Sequence, residues 1–300
     1  MRVGIIVPQG WTGEYDGWDP ARAWARTVAV AHEAEGLGFD SIWLFDHLQT
    51  EPVPTDEITF EAFVGLAALA AETARVRLGH LVLCAGYRNP ALVAKMISTL
   101  DVVSGGRAEL GLGAGWKEDE YEAYGFGFPP LRDRMATLED TLEVVTRMLG
   151  PGRATYDGAQ ASVRGAINVP KGLQTPRIPV MVGGNGPNRT WRLAARYADE
   201  LNLDWFTPAE LRDARPVIAS RCEEIGRDPA TLRLSVNIGR EASGIEGPAR
   251  VDLLGGYVDA GVDRVMTMIR ASASDDGALE RFAEDCAAAG CEFEGAAPAE

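Results

Sequence analysis

Apolar positions in this chain fall into two textures that alternate from one end to the other. Short runs of consecutive apolar residues are separated by longer stretches in which apolar side chains recur every three or four positions. The short runs predict eight strands: Val3 to Pro8, Ser41 to Phe45, Arg77 to Ala85, Ala108 to Ala114, Pro179 to Val182, Glu200 to Leu203, Arg233 to Ile238 and Arg264 to Ile269. The stretches between them read as helices. Met135, Leu138, Leu142, Val145 and Leu149 keep the helical spacing, and Leu92, Met96, Leu100 and Val103 come close to it. Alternating strands and helices are the pattern of βαβ units around a parallel sheet, and eight strands is the number that closes a TIM barrel.

Local signals agree with this division. Asp19-Pro20, Asn89-Pro90, Gly186-Pro187, Thr207-Pro208 and Gly247-Pro248 each place a capping-type residue before a proline, whose fixed φ and missing N–H suit the first turn of a helix. Glycines stop the helices before the second and fourth strands, at Gly36 and Gly38 and at Gly105-Gly106. One segment breaks the rhythm. Residues 150–178 are rich in Gly, Pro and turn formers, are too long for an ordinary connection, and are expected to form an insertion carrying a small hairpin near the mouth of the barrel. The rival architecture is an open doubly wound sheet, for which Gly111-Leu112-Gly113-Ala114-Gly115 is the only text. It lacks the third glycine at the dinucleotide-loop offset and follows the fourth strand, not the first.

Composition narrows the partners. A chain of 300 residues with 46% hydrophobic content can bury a full core as one domain. A formal charge of -15 argues against nucleic acid or an anionic membrane, both of which demand basic surface. Cys84, Cys222, Cys286 and Cys291 include no Cys-x-x-Cys pair and no histidine at zinc-ligand spacing, so no metal is expected and reduced thiols in a cytoplasmic protein are the plain reading. The N-terminal apolar run is too short for a signal peptide and no stretch approaches a membrane span.

In a barrel the loops that follow the strands carry the chemistry. The second strand delivers Asp46 and His47, a carboxylate beside one of only three histidines, a pair suited to proton transfer near neutral pH; a capping aspartate and a core-edge histidine are the bland alternative. Gly115, Trp116, Lys117, Glu118, Asp119, Glu120 and Tyr121 follow the fourth strand, where Trp116 also suits plain packing. The loop after the fifth, Gly183-Gly184-Asn185-Gly186, precedes a helix and holds more glycine than a simple turn needs, which favours anion binding on free N–H groups. Gly79 inside the third strand suggests a bulge or a close ligand, with His80 at the mouth or in the core. Trp205, Phe206, Asn237, Arg240 and Arg270, from the later strands, outline a mixed apolar and basic pocket.

Three stretches carry a resemblance: residues 38–47 (GFDSIWLFDH), residues 87–96 (YRNPALVAKM), and residues 100–116 running through Ser104-Gly105-Gly106-Arg107 to Trp116. With residues 179–203, they resemble the bacterial-luciferase-like flavin and deazaflavin oxidoreductases, most closely the branch dependent on coenzyme F420. The resemblance covers most of residues 1–205. It implies a TIM (β/α)8 barrel, commonly a homodimer, holding its cofactor at the C-terminal mouth. It implies a cis peptide at His80-Leu81 behind the ring, His47 over the reactive ring, Asp46 and Asp119 in contact with it, and Gly183, Gly184 and Asn185 at the cofactor phosphate. Trp116 stands where the sugar-phosphate dehydrogenases of that branch carry a glutamate, which speaks against that substrate. Hydride transfer between F420 and a small organic substrate is the leading expectation. An FMN-dependent monooxygenase, and a flavin-binding barrel without chemistry, are the alternatives.

Overall fold

The computed structural model describes residues 1–239 and 244–293. Eight parallel staves close into a barrel. They are β1 (Arg2–Ile6), β2 (Ser41–Leu44), β3 (Arg77–His80) with its continuation β4 (Leu83–Cys84), β5 (Ala108–Gly113), β8 (Val180–Gly183), β9 (Glu200–Asp204), β10 (Arg233–Asn237) and β11 (Arg264–Thr267). Pairing of β1 with β11 and of β3 with β5 leaves no open edge, which excludes the doubly wound sheet.

Alternation along each strand sorts the side chains into two layers. Val3, Ile5, Ile42, Leu44, Leu78, Leu110, Leu112, Val180 and Val182 turn outward into the main core beneath the helices, whereas Ile6, Trp43, Met181 and Met266 fill the interior. Trp43 explains two of the strand glycines. A Cβ on Gly4 would stand 2.6 Å from its Nε1, and one on Gly79 would stand 2.5 Å from its ring. Gly79 therefore makes room for an indole inside the barrel, and not for a ligand.

Below Trp43 the N-terminal end of the barrel is sealed by charge. Fully buried Arg264 meets Asp40 at 3.0 Å, Glu109 at 3.0 Å and Glu200 at 2.7 Å, and Arg77 also pairs with Glu109. Burial pushes the Glu109 carboxyl up, but Arg264 and Arg77 outweigh it and bring the pKa down to about 2.

The helix starts are those the cap residues announce. Asp19 accepts from the N–H of Arg22 ahead of α1 (Pro20–Gly36), Asn89 from those of Ala91 and Leu92 ahead of α3 (Pro90–Val103), and Thr207 forms a capping box with Glu210 ahead of α7 (Pro208–Glu223). Gly186-Pro187 is the exception: α6 begins three residues later (Thr190–Tyr197). α2 (Ala62–Glu72) covers β2 and β3. A short α4 (Glu118–Ala123) follows β5, and α5 (Leu131–Leu149) returns the chain to the base.

The hairpin of the insertion is present as β6 (Ala154–Asp157) paired antiparallel with β7 (Ser162–Ala166). Its position corrects the expectation. α5 descends from the mouth, so a segment placed after it emerges at the opposite end. Gln174 there bonds the carbonyl of Ala108 and the guanidinium of Arg77, both at strand starts, and the Leu173 N–H donates to Asp101. The insertion braces the base. Among the described residues no helix is long and apolar enough to cross a membrane.

Candidate active site

The C-terminal mouth opens into a cleft of about 1580 Å³. That exceeds the roughly 300–1,000 Å³ of an ordinary small-molecule pocket and leaves room for two ligands at once. Phe45, Leu81, Val82 and Met268 give it an apolar floor, and Trp11, Trp116 and Trp205 stand around it.

His47 is fixed on two sides. Its ring stacks on the indole of Trp11 at 4.1 Å between centroids and 2° between planes, with Trp116 edge-on at 5.7 Å. Its Nδ1 lies 2.9 Å from Oε2 of Glu120, a fully buried carboxylate. Glu120 also accepts from the backbone N–H groups of Leu48 (3.0 Å) and Gln49 (3.3 Å) and from the Tyr87 hydroxyl (3.0 Å). Burial alone would raise the Glu120 pKa, and its contacts with His47, Leu48 and Tyr87 more than offset this and hold the carboxyl below its usual range. A carboxylate bonded to Nδ1–H sets the tautomer and leaves Nε2 as the working nitrogen.

Asp46 is 4% exposed and spends both oxygens structurally. Arg88 grips it with two nitrogens at 2.8 Å each, the Cys84 N–H donates at 2.9 Å, and Arg88 reaches on to Glu61 at 2.7 Å. The stave between β3 and β4 is interrupted by a non-proline cis peptide at Leu81-Val82, one residue beyond the expected junction, and both residues line the cleft. On the next staves, side chains on Gly113 or Gly183 would meet Val82 at 2.7 and 3.0 Å, so these glycines make room for the Val82 side chain on the floor of the cleft. Gly115, at φ +75, has no room for a Cβ beside Cys84 and Tyr121.

Residues 1–239 match the family described as luciferase-like monooxygenase. The chain belongs to that family. Among luciferase-like relatives, an F420-dependent glucose-6-phosphate dehydrogenase of Kineococcus radiotolerans is 35% identical over 58% of this chain and 50% of its own length. A 5,10-methylenetetrahydromethanopterin reductase of Methanolobus tindarius is 28% identical over 67% of this chain and 58% of its own. The match thus spans about half the length of these curated relatives. Of solved structures, an F420-dependent secondary alcohol dehydrogenase in complex with an F420-acetone adduct superposes with a TM-score of 0.81 at 19% identity, covering 96% of this chain and 98% of that one. The monooxygenase RslO1 of Streptomyces bottropensis gives 0.74 at 18% identity over 95% and 98%. At those identities the structures speak for the fold alone.

The luciferase-like mouth gathers Asp46, His47, Leu81, Gly115, Trp116, Gly183 and Gly184 around one cleft. Three expected residues are elsewhere. His80 is 0% exposed: strand alternation turns it outward against Phe63 of α2, 4.3 Å away, with both ring nitrogens unpartnered. Asp119 lies in a shallow side groove, where it accepts from Lys117 and Gln49, both at 3.0 Å. Asn185 turns its amide away from the cleft to pair with the backbone of Asp204, donating to its carbonyl at 2.8 Å and accepting from its N–H at 2.9 Å. Trp205, Asn237 and Arg270 line the cleft, Phe206 packs toward Trp191, and Arg240 lies outside the described residues.

Sequence reasoning missed Trp11 and gave no role to Tyr87, Arg88 or Glu120, although Glu120 stood in the loop after the fourth strand. Trp11 sits in an irregular loop with no periodicity to mark it. Arg88 stands inside a stretch already singled out, and a guanidinium following a strand that neighbours a lone aspartate was the available clue.

Proposed function

We propose that this protein is an oxidoreductase that uses coenzyme F420, transferring a hydride between the deazaflavin and a small organic substrate at the barrel mouth. The observation that carries this reading is the clamped His47: an imidazole stacked on Trp11, with Nδ1 committed to Glu120 and Nε2 turned to a cleft large enough for coenzyme and substrate together. Relatives named for F420 support the choice of coenzyme.

The residues present fit such a group. The apolar floor of Leu81 and Val82 would accept a flat ring, and the turn Gly184-Asn185-Gly186 ahead of α6, with Arg189, would take its phosphate on backbone N–H groups. When bound, F420 supplies the hydride carrier. The protein's part is to orient, to exclude water with the three indoles, and to hold or deliver a proton at Nε2 of His47.

A fluorescence titration tests the coenzyme. F420 is expected to saturate the purified protein, with FMN binding more weakly; tight FMN binding without F420 binding would overturn the reading. His47→Asn is expected to keep F420 affinity and to lower turnover by roughly 10²- to 10⁴-fold, the usual worth of a positioned acid or base.

An FMN-dependent monooxygenase is the second reading, favoured by the family's description as luciferase-like monooxygenase. Oxygen consumption coupled to substrate separates the two, since reduced deazaflavin reacts sluggishly with oxygen. The homodimer expected of the family is proposed on the exposed apolar side chains of Val64 on α2 and Leu92 and Val103 on α3, and light scattering checks it.

A further inference from the structure

The barrel's ring order places β9 four staves from β2 in either direction, so the end of β9 faces His47 across the mouth. That end is Asp204-Trp205. Strands deliver two carboxylates directly to the mouth, Asp46 and Asp204, and they are treated oppositely. Asp46 is neutralised by Arg88. Among the described residues Asp204 has no cationic partner; its one side-chain contact is the amide of Asn237, which donates to Oδ1 at 2.8 Å. Oδ2 is left open to the cleft. The carboxyl is accessible to water there yet surrounded by protein, and burial raises its pKa, with only the Asn237 contact opposing.

Trp205 beside it supplies an independent sign. At φ 57 it is the one non-glycine residue with positive φ among the described residues, a strained backbone state that clusters at ligand sites. The strain keeps its indole 66% exposed in the cleft, lodged over Gly239, where a Cβ would come within 2.4 Å of Nε1. An unneutralised carboxylate beside a large aromatic face is a pairing that attracts a positive charge, through Coulombic attraction and through the ring quadrupole together.

We infer that Asp204, with Trp205 and Asn237, forms a subsite for a protonated amine of the substrate, held across the mouth from the carbon that faces His47. The inference rests on the proposed function only for which end of the substrate reacts; the subsite itself is a property of the β9 wall. Asp204 is thus a specificity-determining residue. Its carboxylate discriminates for an ammonium group over a hydroxyl, and against an anion.

Three probes of one shape test this near neutral pH: benzylamine, benzyl alcohol and benzoate, titrated against the intrinsic fluorescence of the full chain with and without F420. Benzylamine is expected to bind at least tenfold tighter than benzyl alcohol, and benzoate more weakly than either. Asp204→Asn keeps the shape and is expected to abolish the preference while leaving benzyl alcohol affinity unchanged. Equal affinities for amine and alcohol in the wild type would overturn the proposal. So would a preference that survives in the Asn variant, or a loss of amine and alcohol binding alike, which would mark Asp204 as structural support. If that variant does not fold, Trp205→Ala is expected to weaken benzylamine more than benzyl alcohol, and the wild-type series still decides. Amine binding to coenzyme-free protein reads the subsite whatever the F420 titration gives.

Discussion

Glu120 accepts four hydrogen bonds at once, and the one from His47 matters for chemistry because it decides which ring nitrogen carries the proton. Glu120→Gln would present an amide to Nδ1 where a carboxylate stood, favouring the opposite tautomer. Turnover is expected to fall at least about tenfold with F420 affinity retained, a split between kcat and binding that a mere packing defect would not produce. Sequence reading reached Asp46 and His47 because a histidine is rare here and stands at the end of an apolar run. It placed Glu120 in the loop after the fourth strand without giving it a role. Glu118, Asp119 and Glu120 are consecutive acids in the first turn of a helix, set about 100° apart around its axis, and only the folded orientation of α4 shows which one faces the imidazole.

At the scale of elements, strand alternation explains what was legible and what was not. The strands were readable as apolar runs and the helix starts as capped prolines, since both are local signals. The interruption between β3 and β4 was legible only as a bulge near Gly79 and through the family resemblance, one residue off, because Leu81 to Ala85 stays apolar straight through it. His80 belongs to this scale, for β3 presents it to α2 and away from the mouth. Burial, helped by the charge of Arg88, pushes its pKa well below the ordinary histidine value of 6.5. The native state therefore keeps the ring neutral where the unfolded chain takes up a proton. Stability from this group is complete above pH 6.5 and is lost as pH falls below it, by up to about 1.4 kcal/mol per pH unit, until the folded ring itself titrates. Urea unfolding from pH 7.5 down to 5 is expected to show this slope, and His80→Leu to flatten it.

Over the whole molecule, the two ends of the barrel do different work. The mouth holds the open carboxylate of Asp204 and exposed indoles, whereas the base holds Arg264 among three buried carboxylates. Arg264→Met is expected to destabilise the fold by roughly 3–5 kcal/mol, read as a lower urea midpoint, because Asp40, Glu109 and Glu200 lose their shared counter-charge. F420 affinity in the surviving folded fraction is expected to hold. The insertion was misplaced in sequence reading for a reason of the same scale: whether a segment lies at the mouth or the base depends on which way the preceding helix runs, and composition carries no direction.

Asn185 gives the molecule one more property. By hydrogen-bonding both backbone groups of Asp204 it imitates an added rung of the sheet, so the turn suited to a phosphate and the wall opposite His47 share a single hinge pin. Under the proposed function, a molecule that settled into the turn would stiffen the surface that greets the second ligand, and the two would arrive in a preferred sequence. Asn185→Ala is expected to loosen both grips together and to turn ordered binding into random binding, visible in initial-rate patterns with both ligands varied.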